Sequence, residues 1–193
     1  MEIPSALDGV PVVEIGAWAF LGRDLLKRIV IPDSVEIVGK TAFASCRGLQ
    51  ELRLGTGIKK IEKSAFCNCS SLKSVAIPDS VEAVGATAFA SCYGLKELRL
   101  GTGIKKIENA SFLGCGSLSS VVIPDTVEVV GEFAFATCLS LETLRLGAEV
   151  KKIEKAAFRG CFSLHKVVLP STLEELARDA FDESVDLVVD GDI

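Results

Sequence analysis

Phenylalanine recurs along this chain at a fixed interval, with Phe20, Phe43, Phe66, Phe89, Phe112, Phe135, Phe158 and Phe181 each 23 residues apart. Eight of the ten phenylalanines lie on that ruler, so the period belongs to the fold and not to chance. Six residues past each comes a leucine, from Leu26 and Leu49 through to Leu164 and Leu187. An alternating segment follows, such as Ile29-Val30-Ile31 or Leu52-Arg53-Leu54, bounded by Pro32 or Gly55. Alternation with a period of two between such punctuation predicts a short strand with one face inward. A second apolar pair comes next, Val35/Val38 in one repeat and Ile58/Ile61 in the following one. Its spacing of three, leading into Thr41-Ala42-Phe43, predicts a bend and a short helical turn.

A period between 20 and 29 residues, one strand and one turn per repeat, is the signature of a leucine-rich repeat solenoid. The expected fold is a right-handed stack of about eight rungs, β-rich and of the α/β horseshoe type, with parallel strands and short helical turns. No rung buries its Phe, Leu and Ile alone, so stability is shared between neighbours. Strands in register sit ~4.8 Å apart, which gives eight rungs a length of roughly 35–40 Å.

A longer period overlies the first. Position twelve after the Phe alternates Pro32, Gly55, Pro78, Gly101, Pro124, Gly147, Pro170, and residues 32–77 match residues 78–123 at 34 of 46 positions. The unit of duplication is therefore two rungs, produced by recent tandem duplication or by consensus design.

With 193 residues, 49% of them apolar, the chain is long enough to bury one continuous core, and a single domain spanning 1–193 is expected. Residues 1–19 read as an N-terminal cap rung, 20–170 as the repeats and 171–193 as an acidic C-terminal cap. Trp18, the only tryptophan, is expected to cover the open end of the core. In the last rung Asp190 and Asp192 stand where inward strand residues are expected, and Ser184 replaces a cysteine. Such charge suits a cap that blocks further strand addition. A calcium site of Asp186, Asp190 and Asp192 has no supporting loop pattern.

A net charge of −5 lacks the basic footprint of nucleic-acid binding. No apolar run reaches the ~18–20 residues that span a bilayer, and the N-terminus has no secretory signal pattern. The chain as written is expected to be soluble, without membrane insertion; a signal cleaved from a precursor is compatible with this. Six of the seven cysteines share one repeat position, Cys46 to Cys161. They are expected to be reduced thiols packed in the core as small hydrophobes. Cys67 stands off that ladder and is expected to be an exposed, reactive thiol.

No constellation points to catalysis, and no cofactor or metal is expected. The only histidine, His165, occupies a variable strand position and has no visible base or nucleophile partner. Charge is more informative. Sixteen residues past the Phe, Glu36, Lys59, Glu82, Lys105, Glu128, Lys151 and Glu174 alternate in sign, an expected surface ladder that supports register. Outward strand positions carry Arg53, Arg99 and Arg145, with Glu51 and Glu97 two residues before the first two. If these strands line the concave face, the arginines with Glu51, Glu97 and His165 are the candidate partner-binding residues. The bland alternative is that Arg53 and Arg99 merely neutralise Glu51 and Glu97, whereas Arg145 has Thr143 at that place.

The stretch Ile77 to Leu95, Ile-Pro-Asp-Ser-Val-Glu-Ala-Val-Gly-Ala-Thr-Ala-Phe-Ala-Ser-Cys-Tyr-Gly-Leu, resembles the BspA-like leucine-rich repeat family, as does the opening Asp8 to Phe20. The resemblance covers essentially the whole chain. It implies a surface-displayed or secreted, non-catalytic module that binds a protein partner, such as a host matrix or cell-surface protein. The family carries no shared ligand residues. A structural or scaffold role without a specific ligand, including that of a designed repeat protein, is the alternative.

Overall fold

The ruler becomes a column of rings. In the computed structural model, which describes residues 1–190, Phe20 stacks on Phe43, Phe43 on Phe66, and so on to Phe181. Ring centroids are 4.9–5.6 Å apart and the planes lie within 10° of parallel. Each turn of chain lays one ring, one leucine and one inward strand residue on those of the turn before. The result is a β-solenoid with one hydrophobic core running from Ile15 to Phe181.

The chain enters through a hairpin, Ala6–Leu7 against Val10–Pro11. Each later rung then adds two strands. The three-residue strands Arg28–Val30, Glu51–Arg53, Ser74–Ala76 and Glu97–Arg99 form a parallel sheet. The same series continues as Ser120–Val122 beside Thr143–Arg145, and Lys166–Leu169 beside Asp186–Val189. In the three-residue strands the middle residue faces the core and its neighbours face out, as at Arg28, Ile29 and Val30.

A second parallel sheet, unforeseen from the sequence, has eight two-residue strands from Glu14–Ile15 through Ile37–Val38 and Lys60–Ile61 to Glu175–Leu176. The apolar pair with spacing three thus closes a bend and then enters this sheet. The short helical turn expected next is absent, and no helix occurs among the described residues.

What stands in its place is a stacked turn around each Phe. The residues two before and two after the Phe take the left-handed conformation in every rung from Phe20 to Phe158, for example Thr41 (φ 60°) and Ser45 (φ 57°). Alternate amides, those of Thr41, Phe43 and Ser45, donate to the next rung's carbonyls at Lys63, Ala65 and Cys67. The amides between them close tight turns within their own rung, as Ala44 does on Thr41. A β-branched residue at positive φ costs about 1–2 kcal/mol; the repeated bonds between rungs hold it there.

The two-rung unit has a steric cause. A Cβ on Gly101 would sit 2.2 Å from the Pro78 carbonyl oxygen, and one on Gly55 2.4 Å from that of Pro32. Each Pro-Asp corner presses its backbone onto the corner above, which only glycine tolerates. The aspartate then caps that corner: Asp33 accepts from the Thr56 amide at 2.7 Å and Asp79 from the Thr102 amide at 3.0 Å.

Both ends differ from expectation. Trp18 does not cover the core; its side chain is 57% exposed, because its left-handed backbone turns it off the stack. In the last rung the strand register pairs Val167 with Leu187 and Leu169 with Val189, an offset of 20 residues. The rung is three residues short. Leu187 and Val189, not Asp190, therefore take the inward places, and both are partly open to solvent. Asp192 lies outside the described residues.

Candidate functional site

The outward face of the three-residue strands is a surface where the repeat leaves side chains free to vary. Inward neighbours Ile29, Leu52, Val75 and Val121 are buried, and their register is fixed by pairings such as Val30 with Arg53 and Ala76 with Arg99. Arg53, Arg99, Arg145, Glu51 and Glu97 are all exposed on this face. The sheet brings Glu51 beside Arg28 and Ser74, and Arg145 beside Val122. His165 is exposed but stands just before the strand, where its carbonyl accepts from the Asp186 amide. The structure does not join it to the arginines.

The pairing anticipated within a strand does not form. A strand sends residues two apart out on one face but holds them apart along its axis. Arg99 instead reaches Asp79 of the rung before, at 3.4 Å, and Glu51 reaches Arg28 at 3.6 Å. Arg53 and Arg145 make no ion pair among the described residues. The missed residues are the corner aspartates Asp33, Asp79 and Asp125. Their sequence signal is a Pro-Asp followed 23 residues later by Gly-Thr or Gly-Ala. The Thr102 amide, and after it the Arg99 charge, hold the Asp79 carboxyl below its ordinary value. At Asp33 the Thr56 amide and hydroxyl lower it first, and Arg53 adds to them. At Asp33 and Asp79 the ionised form is therefore favoured, each carboxylate beside an exposed arginine. A shallow cleft of about 340 Å³ opens there, between Thr56, Pro78, Asp79 and Arg99.

Elsewhere the charge ladder closes in one place, where Lys151 Nζ meets Glu128 at 3.0 Å. The six ladder cysteines are buried, and each thiol bonds the carbonyl of the preceding rung's Phe. Cys67 is not the exposed thiol expected: it is half-buried, and burial pushes its pKa up. Among the described residues no group of His, Cys, Asp and Glu could hold a metal ion, and no helix is long and apolar enough to cross a membrane.

Stacked parallel strands, a 23-residue rung and a leucine and phenylalanine column define a solenoid of the leucine-rich repeat class. The sequence matches the BspA type leucine rich repeat region over residues 9–115 and 82–188, and the chain belongs to that family. Among solved structures it is similar to the T. pallidum leucine rich repeat protein TpLRR, with 32% identity and a TM-score of 0.76 over 84% of this chain and 76% of that one. It is also similar to a leucine-rich repeat protein of Eubacterium ventriosum, with 24% identity and a TM-score of 0.71, covering 77% of this chain and 41% of that one. A third likeness is to the pneumococcal vaccine antigen PcpA, at 24% identity and a TM-score of 0.53 over 87% of this chain and 51% of that one. A comparison with the curated proteins finds no match.

Proposed function

We propose that the chain is a non-catalytic protein-binding domain, 1–193, that recognises its partner through the outward face of the three-residue strands. Arg53, Arg99 and Arg145 are its anchors, with Glu51, Glu97 and His165 at the margin. The observation that carries this reading is the contrast on one sheet: inward residues are uniformly apolar, while outward ones range through Arg, Glu, Ser, Ala, Val, Thr and Lys. Arginines on alternate rungs stand about 10 Å apart, a spacing suited to carboxylates presented by an extended or folded protein. A rigid stack loses little ordering entropy on binding. Membership of the BspA type family supports an adhesin-like task outside or on the cell, with a host matrix or cell-surface protein as partner. The near-identity of residues 32–77 and 78–123 favours a second reading, a scaffold with no specific ligand.

The deciding experiment is capture from panels of matrix and cell-surface proteins by the wild type beside an Arg53/Arg99/Arg145→Ala variant. Capture by the wild type alone supports the strand face. Equal capture by both moves the site elsewhere, and capture by neither supports the scaffold.

A further inference from the structure

One row of the strand face changes character at every rung. Val30, Arg53, Ala76, Arg99, Val122, Arg145 and Val168 hold the same outward strand position, and none of them is buried. The second sheet alternates in a like manner, with Lys60, Lys106 and Lys152 outward on every other rung. There each lysine closes an ion pair, with Glu62, Glu108 and Glu175 respectively, at 2.8–3.3 Å. On the strand row Arg53 and Arg145 close none among the described residues, and Arg99 closes one exposed pair with Asp79. The same two-rung period sets carboxylates on both flanks of the row. Glu51 and Glu97 lie towards the strand entry, where Glu51 is shared with Arg28 at 3.6 Å. Asp33, Asp79 and Asp125 lie towards the corner. Outside the entry flank the charge is mixed, with Lys73, Lys96 and Glu142. Arg53 and Arg99 thus each stand between carboxylates, Arg145 has Thr143 on its entry side, and a small apolar side chain separates each cation from the next.

We infer that the element this row recognises is an α-helix lying along the stack. It carries an acidic residue at one heptad position, a small apolar residue half a heptad on, and Lys or Arg at the two flanking positions. The inference rests on the strand-face reading above and names the structure that face takes. Step length selects the helix. Adjacent rungs lie 4.9–5.6 Å apart in the ring column, and strands in a sheet ~4.8 Å apart. Half a heptad of α-helix is about 5.2 Å of axis, which a tilt of about 20° shortens to ~4.9 Å. An acidic residue then meets an arginine once per heptad, while the residues between meet Ala76 and Val122. An extended strand repeats on one face every ~6.7 Å, and a polyproline helix every ~9.3 Å with nothing at the half step. Neither follows a row that alternates rung by rung. Three heptads reach all three arginines, and a straight helix drifts by about 40° between its first and third. Sign selects the sequence. The acidic stripe faces the arginines, and its flanking bases face Glu51 and Glu97 on one side and the corner aspartates on the other. Inverting those signs brings like charges together at every second rung. The Arg99–Asp79 pair is exposed at both ends, so Arg99 can share its charge at little cost.

The test uses a labelled peptide of three heptads with Glu at a, Ala at d, Lys at e and g, and Gln or Ala elsewhere. Binding to the full chain is followed by anisotropy at about 150 mM salt, and peptide helicity by circular dichroism. The wild type is expected to bind at micromolar concentrations and to raise the helicity. A peptide of the same heptads with one Gln inserted between each is expected to bind at least tenfold more weakly. On the protein, Ala76→Arg combined with Arg99→Ala keeps the charge of the row but moves one cation by a rung, and is expected to lose at least tenfold as well. Both positions are exposed, and thermal unfolding checks that the variant folds. Equal binding of the regular and the interrupted peptide overturns the inference, since the period is then not read. Equal binding by the shifted variant, or binding without a gain in helicity, overturns it too. No binding of the regular peptide removes the helix but leaves the strand face standing if matrix or cell-surface proteins are still captured by the wild type alone. Full binding by the Arg53/Arg99/Arg145→Ala variant places the peptide off this face and overturns the helix assignment on its own evidence.

Discussion

The Cys69 thiol donates to the main-chain carbonyl of Phe43, 3.3 Å away in the preceding rung. The same bond recurs from Cys92 to Phe66 and from Cys115 to Phe89. A cysteine ladder is therefore more than volume filling. The thiol is small enough for the crowded core, apolar enough to be buried, and still offers a weak donor to a carbonyl that otherwise takes only the amide of its own turn. Replacing Cys92 by Ala removes both the packing and the donor, and is expected to cost about 1–2 kcal/mol. Cys92→Ser keeps a donor and is expected to cost less. Urea unfolding of the two variants decides this; if Ser is the worse of the pair, the ladder contributes only as a hydrophobe.

Burial also gives these thiols a pH dependence. It pushes the Cys115 thiol from 9.0 up to about 12, and raises those of Cys69 and Cys92 in the same direction. The folded chain keeps protons that the unfolded chain loses. Stability is therefore complete below pH 9 and falls as pH climbs from 9 towards 12. Urea midpoints are expected to drop between about pH 7.5 and about pH 10.5, and to drop less in Cys115→Ala. Alkylation without denaturant at neutral pH is expected to leave the ladder unmodified; several labelled ladder cysteines would contradict the burial described.

Much of this architecture was legible in the sequence, because each rung repeats the same burial problem. Phe43, Cys46 and Leu49 are all fully buried, and their 23-residue recurrence announced that directly. The second sheet was hidden because a strand of two residues, such as Ile37–Val38, is too short to alternate. The left-handed turns were hidden because Thr, Ser, Ala and even Phe133 occupy them in place of Gly. Leu187 misled by falling on the leucine ruler, although its rung is three residues short. Of the candidate site, the exposure of Arg53, Arg99 and Arg145 was readable from strand alternation. The Asp79 partner of Arg99 was not, since the contact crosses from one rung to the next.

Glycines in this chain divide sharply by what lies over them. A Cβ at Gly101 would meet the Pro78 carbonyl at 2.2 Å, whereas one at Gly116 meets nothing within 4 Å. The carbonyl is backbone and cannot swing aside. Gly101→Ala is expected to destabilise by about 1–3 kcal/mol, while Gly116→Ala is neutral or slightly stabilising because it restricts the unfolded chain. Thermal unfolding of the two single variants checks the contrast. Equal effects would mean that the Pro-Asp corner yields more easily than its contacts suggest.

The left-handed positions give the opposite sign. Ser91 holds φ at 59°, two residues past Phe89, and its counterparts in other rungs include Gly22, Gly114 and Gly160. An L-residue in that region costs about 1–2 kcal/mol, which glycine avoids, though glycine also frees the unfolded chain. The net expectation for Ser91→Gly is a gain of about 0.5–1 kcal/mol. The same change at Ser74, on a strand, has no strain to relieve and is expected to destabilise. Comparing the two by chemical denaturation isolates the backbone term from the loss of a hydroxyl. A Ser91→Gly protein no more stable than wild type would show that the bonds between rungs, from Ser91 to the Leu113 carbonyl among them, depend on the side chain holding the turn in place.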